Sequence, residues 1–289
     1  MKKTSHFKKI KIIASSSSIK DKNIFLEGIN VLNRIGFVPE ENNILNRNWN
    51  DFAGDDQSRF KELQDSAEYP ITIFAKGGWG SARLLHNELT KNNGYIIGFS
   101  DATSILWAKL NSGEKGCIHG PMLMNLPSEP SWSINRLKSL LLHKKVEDLK
   151  GRTLFKGKAH GKLIVGNLTV ATHLIGTRFF PSTKEAILIL EDINEPSYKI
   201  DRMLTQWKLA GAFNKLAGIG FGNFSFTDET NEDQRIKIEE VLIEKSKELG
   251  IPAIADLPVG HKPGNASLPL GSIAEINGYK GTLKIKTLI

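Results

Sequence analysis

Short apolar runs alternate with helical patterns through the first hundred residues, and this alternation constrains the fold more than any other feature. The runs stand at residues 10–14, 37–39, 71–75 and 95–99, with helical patterns at 22–35, 55–68 and 81–89 between them. Units of this kind build a parallel sheet covered on both faces. Ligands of such sheets bind beyond the carboxyl ends of the strands. Two segments fall there: 77–80 (GGWG) and 98–101 (GFSD).

The pattern breaks after Met124, at Pro127 and Pro130, and a helical stretch follows at 133–142. From Gly151 onward short strands dominate, at 153–156, 161–165, 186–190, 218–224, 253–256, 272–277 and 282–286. Helical patterns interrupt them at 170–174, 200–209 and 231–248. The expected organisation is an α/β domain with a parallel sheet (1–125), a connector (126–150) and a strand-rich domain (151–289).

Ser100 and Asp101 occupy the turn between the expected strand 95–99 and an amphipathic helix at 102–110. A hydroxyl there projects from the carboxyl edge of the sheet, and the free amides of the helix's first turn point at whatever it attacks. That is nucleophile-elbow geometry, although the full G-x-S-x-G pattern is absent. The competing reading is a helix cap. Two other segments favour chemistry. The aliphatic run 186–190 ends in Glu191 and Asp192, and His261 lies in the Pro/Gly-rich loop 256–265 (DLPVGHKPGN). Together these supply a nucleophile, a carboxylate and an imidazole, roles that recur on unrelated folds in different chain orders. With the nucleophile in one domain and its partners in the other, the active site is expected in the interdomain cleft.

Seven blocks in this order resemble the LD-carboxypeptidases, the serine peptidase family that includes muramoyltetrapeptide carboxypeptidase and the microcin C self-immunity protein. They are 52–63 (FAGDDQSRFKEL), 76–85 (KGGWGSARLL), 98–103 (GFSDAT), 118–121 (IHGP), 166–169 (GNLT), 190–206 (LEDINEPSYKIDRMLTQ) and 257–261 (LPVGH). The resemblance implies Ser100 as nucleophile, Glu191 rather than Asp192 as the group orienting the histidine, and His261 as general base. It departs from the family at Lys76, where an Arg is usual; a Lys keeps the charge but loses the bidentate fork. Lys76 is nevertheless a candidate for binding the substrate's terminal carboxylate. The expected oxyanion hole is the amide of Asp101 with that of Gly78, where glycine lets the backbone approach a ligand. His119, Asn167, Asp201 and Arg202 are expected to be structural, His119 through a strand-end hydrogen bond.

Composition removes several other classes. Cys117 is the only cysteine, which excludes an internal disulfide and a Cys-rich zinc site. H-E-x-x-H is absent, as are a P-loop and a dinucleotide fingerprint after the first strand, so no metal or cofactor is expected. With 39 Lys and Arg against 31 Asp and Glu the formal charge is +8, spread over the chain rather than gathered in one arm. That favours a solvated basic surface over a nucleic-acid site, and an acidic peptide substrate would also benefit from the field. No stretch approaches the roughly 20 apolar residues of a membrane span. The basic start, residues 1–18, has an apolar core only at 12–14, short of the about 7–15 residues of a signal peptide, so a cytoplasmic location is expected.

The resemblance implies removal of the terminal D-alanine from murein tetrapeptide, without a cofactor, by a homodimer. Two alternatives are hydrolysis of a microcin C-like aminoacyl nucleotide and a non-catalytic peptide-binding module.

Overall fold

The computed structural model describes residues 8–40, 43–227 and 232–287; the basic residues 1–7 and the expected helix start at Asn231 lie outside them. In chain order the first part runs β1 (Lys9–Ile13), α1 (Lys22–Arg34), β2 (Val38–Pro39), α2 (Asp56–Asp65), β3 (Ile71–Phe74), β4 (Tyr95–Gly98), α3 (Thr103–Asn111), β5 (Cys117–His119) and α4 (Ser131–His143). The second part runs β6 (Leu149–Lys150), β7 (Arg152–Phe155), β8 (Lys158–Asn167), α5 (Leu168–His173), β9 (Ala186–Ile193), α6 (Ser197–Leu209), β10 (Gly218–Ser225) and α7 (Glu232–Leu249). Strands β11 (Ala253–Ala255), β12 (Leu268–Pro269), β13 (Ile273–Asn277) and β14 (Thr282–Thr287) complete it.

The first sheet has the order β12-β5-β4-β3-β1-β2. All its pairs are parallel except β12 with β5. Its strands are apolar runs because both faces are covered. Side chains start the helices on time: Asp21 accepts from the amides of Asn23 and Ile24 ahead of α1, and Asp55 from that of Ser58 in α2. The second sheet has the order β6-β14-β13-β8-β9-β10-β11-β7. Strands β8 to β11 are parallel, and antiparallel strands extend both edges. The mixed α/β fold with two sheets is the expected one.

Two placements differ from the sequence reading. Helix α3 is buried from Thr103 through Leu110, so it is not amphipathic. It lies against the second sheet: Trp107 Nε1 donates to Val165 O at 2.8 Å, and Thr103 Oγ1 accepts from Asn167 N at 3.1 Å. Its one basic residue is satisfied inside, with Lys109 Nζ 3.2 Å from Glu114 and 2.7 Å from Thr90 O. Segment 126–150 also does more than connect. It carries α4, whose Ile134, Leu137, Leu140 and Leu141 share one core cluster with Ile10, Ile73 and Ile97 of the first sheet.

A second core cluster crosses from one sheet to the other. It joins Phe74, Ile96 and Phe99 through Trp107 to Leu163, Ile189 and Trp207. The carboxyl ends of β4 and β9 are thereby held over a shared packed layer.

Candidate active site

Ser100 follows β4 and has φ of +57°, in the left-handed region that a non-glycine residue enters only at a cost. Tight packing explains how the turn is held. A Cβ on Gly98 would come within 2.8 Å of the Ala102 Cβ and 2.6 Å of the Phe74 ring. Gly98 and Ala102, two residues either side of Ser100, thus fill the small-residue positions of a nucleophile elbow with alanine in place of the second glycine. A single 3-10 turn (Ser100–Ala102) then leads into α3.

The turn is anchored from below by the Asp101 side chain. Its Oδ2 accepts from Ser16 Oγ at 2.7 Å and from the Ser81 amide at 2.8 Å. Burial raises the pKa of Asp101, against the lowering effect of these hydrogen bonds. Ser81 Oγ lies 2.8 Å from Ser15 Oγ and 2.9 Å from Ser16 Oγ. Arg59, fully buried, donates to the carbonyls of Ser15 and Gly80. The serine run 15–18 is therefore a buried scaffold joining β1, the Gly-rich turn and the elbow. Repeated serines after a strand carry no signal of burial, so sequence reasoning missed this role and that of Arg59.

The Gly-rich turn lies against Ser100. A Cβ on Gly77 would stand 3.0 Å from Ser100 Oγ and 3.1 Å from its Cβ. The neighbouring Gly78 has φ of +118°, and a Cβ there would strike Ser17 Oγ at 2.1 Å. The Asp101 amide stands in the first turn, where a helix leaves N–H groups without an internal acceptor. Gly77→Ala is expected to lower kcat by about tenfold or more through pressure on Ser100, since small misplacements of reacting groups are costly. Steady-state kinetics beside a melting curve checks this; full activity in the folded variant would contradict it. Lys76 is half-buried, with Nζ 3.4 Å from Ser18 O. Burial lowers its pKa, helped by the charge of Lys20.

The imidazole and carboxylate come from the second sheet. Glu191 pairs with Asn167 at the ends of β9 and β8, and its side chain is completely buried. His261 Nδ1 lies 2.8 Å from Glu191 Oε2. A carboxylate at that distance fixes the proton on Nδ1 and leaves Nε2 as the free basic nitrogen. The His261 ring also packs on Phe99, with centroids 4.8 Å apart, which brings it beside the elbow. Among the described residues no hydrogen bond joins Ser100 Oγ to His261. Such bonds are often long before substrate binds. Gly260 makes the approach possible: it has φ of +128°, and a Cβ there would lie 2.9 Å from Glu191 Oε2.

The electrostatics of the pair are mutual. Burial would raise the pKa of Glu191, but the charge and hydrogen bond of His261 outweigh it and hold the carboxyl low. Burial would lower that of His261, but Glu191 outweighs it and the imidazole is raised.

Asp192 points the other way, as alternate residues of a strand must. It accepts from Asn167 Nδ2 and from the amide and hydroxyl of Thr169, tying the start of α5 to β9. Burial and the Glu191 charge push its pKa up to about 6. Asn167 caps α5 by accepting from the Val170 amide at 3.1 Å. Asp201 pairs with Lys245 at 3.0 Å, and Arg202 lies over the Tyr198 ring. His119 departs from expectation. Its ring is fully buried against Phe99, and among the described residues neither nitrogen has a partner in hydrogen-bond geometry. Burial drops its pKa to about 4, so it is neutral.

A cavity of about 810 Å³ is lined by Trp132, Arg136 and Pro258 and does not include Ser100, Glu191 or His261.

Family models match both halves of the chain. Residues 10–120 match the LD-carboxypeptidase N-terminal domain and 160–276 the LD-carboxypeptidase C-terminal domain. A protein of Synechocystis sp. that carries a carboxypeptidase name is 37% identical, over 95% of this chain and 93% of the relative. The murein tetrapeptide carboxypeptidase of Pseudomonas aeruginosa is 30% identical, over 79% of this chain and 80% of its own. The chain belongs to the LD-carboxypeptidase family. Among solved structures, the wild-type apo form of the microcin C7 self-immunity protein superposes with a TM-score of 0.87. It covers 98% of both chains at 22% identity, a likeness of fold. In this member of the family the candidate site draws on both matched regions: Ser100 and the Gly-rich turn lie in the first, Glu191 and His261 in the second.

Proposed function

We propose that this chain is a serine-type, metal-independent LD-carboxypeptidase. It removes the terminal D-alanine from the murein tetrapeptide L-Ala-D-Glu-diaminopimelate-D-Ala during cell-wall recycling, in the cytoplasm and as a homodimer. The observation that carries the mechanism is the part-buried Glu191–His261 hydrogen bond of 2.8 Å beside a serine held in a left-handed turn. The murein substrate rests on the 30% identical relative of that activity.

In this mechanism Ser100 Oγ attacks the diaminopimelate carbonyl while His261 Nε2 takes its proton. Glu191 accepts the Nδ1 proton's hydrogen bond and stabilises the imidazolium. The oxyanion meets the amides of Asp101 and Gly78, each such donor being worth about 2.7–4 kcal/mol in comparable sites. The C–N bond then breaks, and Nε2 returns the proton to the leaving amine of D-alanine. Water, deprotonated by His261, cleaves the acyl-serine, releases the tripeptide carboxylate and restores the hydroxyl.

An exopeptidase must recognise a chain end, and Lys76 leads into the Gly-rich turn beside Ser100. Being half-buried strengthens its charge on any nearby carboxylate. Amidation of the terminal D-alanine is expected to reduce kcat/KM by at least about tenfold. Lys76→Met should narrow the gap between acid and amide, mainly by harming the acid. Equal cleavage of both by the unaltered enzyme would defeat the exopeptidase reading.

A second reading is hydrolysis of a microcin C-like aminoacyl nucleotide, favoured by the fold likeness to the self-immunity protein. Offering both substrates and assaying released D-alanine separates the two. A serine-reactive phosphonate that labels Ser100 separates both from a silent binding module.

A further inference from the structure

His261 sits in the loop between β11 and β12, and the two halves of that loop are held by different parts of the molecule. The first half is tied to β10 in the second sheet: Leu257 N donates to Phe221 O at 3.1 Å, and Asn223 N to Val259 O at 2.7 Å. The second half is tied to the segment around α4, which packs on the first sheet. Glu129 Oε2 accepts from the amides of Gly264 at 2.9 Å and Asn265 at 3.0 Å. Ser133 Oγ donates to Asn265 O at 3.0 Å, and Arg136 Nε to Ser267 O at 3.0 Å.

Ser133 and Arg136 stand at i and i+3 on one face of α4, and Glu129 lies in the extended segment just ahead of the helix. Four of their bonds go to the backbone of residues 264–267, and Arg136 Nη1 also donates to Glu147 O at 2.6 Å. Asn265 passes the constraint inward, because its Oδ1 accepts from the amide of Gly260, the residue before His261, at 3.1 Å. Ser133 and Asn265 are buried, and Glu129 is partly so. Within this group Glu129 is the acceptor that serves two amides. A carboxylate accepting backbone N–H bonds makes stronger hydrogen bonds than a neutral group.

We propose that Glu129 is a positioning residue for His261, clamping the histidine loop of the second sheet to the sheet that carries Ser100. The inference rests on the catalytic reading above. It assigns segment 126–150 the task of fixing the general base relative to the nucleophile, which come from opposite sides of the fold. Glu129 touches neither substrate nor reacting atoms; it acts through the Gly264–Asn265 backbone.

The test compares Glu129→Ala and Glu129→Gln with the parent, well below each protein's melting temperature. Two readouts are taken: kcat and KM on the cleaved substrate, and the downfield Nδ1 proton of His261 by NMR with labelled histidine. Glu129→Ala should lower kcat by roughly 10–100-fold with little change in KM, the expected result of a displaced base. Its Nδ1 proton signal should broaden or exchange faster with water. Glu129→Gln keeps an oxygen for the two amides and should recover most of both properties. A folded Glu129→Ala protein with parental kcat and an unchanged Nδ1 signal would overturn the proposal, as would a Gln variant as damaged as the Ala variant. The NMR signal needs no substrate, so a clamp effect on His261 remains measurable even if the functional reading fails.

Discussion

Ser100→Ala is expected to lower kcat by roughly five to six orders of magnitude while the protein stays folded, as loss of a triad nucleophile does elsewhere. The hydroxyl is the bond-forming atom in the proposed mechanism, and no neighbouring side chain can replace it. The backbone offers a control. Ser100 has φ of +57°, so alanine there also bears the left-handed strain, whereas glycine relieves it. Ser100→Gly should therefore melt no lower than Ser100→Ala and be equally inactive. Binding and the oxyanion amides would leave a residual rate above that of water. Kinetics with both variants checks this, and near-normal turnover in either folded variant would remove Ser100 from the mechanism.

Glu191→Gln should cost about 10⁴-fold in kcat, the scale seen when the carboxylate of a triad becomes an amide and the imidazole takes the wrong tautomer. The pH profile gives a second sign. In the parent, His261 acts as a base only when neutral, and its pKa is raised above 6.5 because Glu191 outweighs burial. Activity should thus fall as pH drops through a value above 6.5. Removing the Glu191 charge leaves burial dominant, so the imidazole's pKa falls and the acid limb of kcat/KM moves to lower pH. Asp192→Asn should do far less, because Asp192 faces Asn167 and Thr169 rather than the imidazole. If the Asp192 variant is the more damaged, the carboxylates have been assigned the wrong way round.

Much of the fold was legible because buried parallel strands are written as continuous apolar runs. Strands β1, β3, β4 and β9 fall where those runs stand. The environment of α3 was not legible. Thr103, Ser104 and Lys109 read as a polar face, yet each finds an internal partner in the Asn167 amide, the Asp101 carbonyl or Glu114. A helix sandwiched between two sheets can bury such residues only because the second sheet, far along the chain, supplies part of its cover. Likewise β12, two residues that pair antiparallel with β5, is too short to show in any periodicity.

In the site, the turn at Ser100 was visible from the strand-to-helix change. The residues alone could not choose between Glu191 and Asp192, since both end the same run; the family resemblance made the choice. The structure sets Glu191 against His261 because neighbouring strand residues point to opposite faces. The buried serine run, Arg59 and Glu129 were missed because each acts through tertiary hydrogen bonds, which leave no local pattern.

The most direct test of the central claim is release of free D-alanine from murein tetrapeptide by the purified protein in excess chelator, with Ser100→Ala run in parallel. The account predicts stoichiometric D-alanine and tripeptide from the parent, at a rate the chelator does not change, and none above background from the variant. No release from the tetrapeptide, release that the chelator abolishes, or release that survives in Ser100→Ala would contradict it.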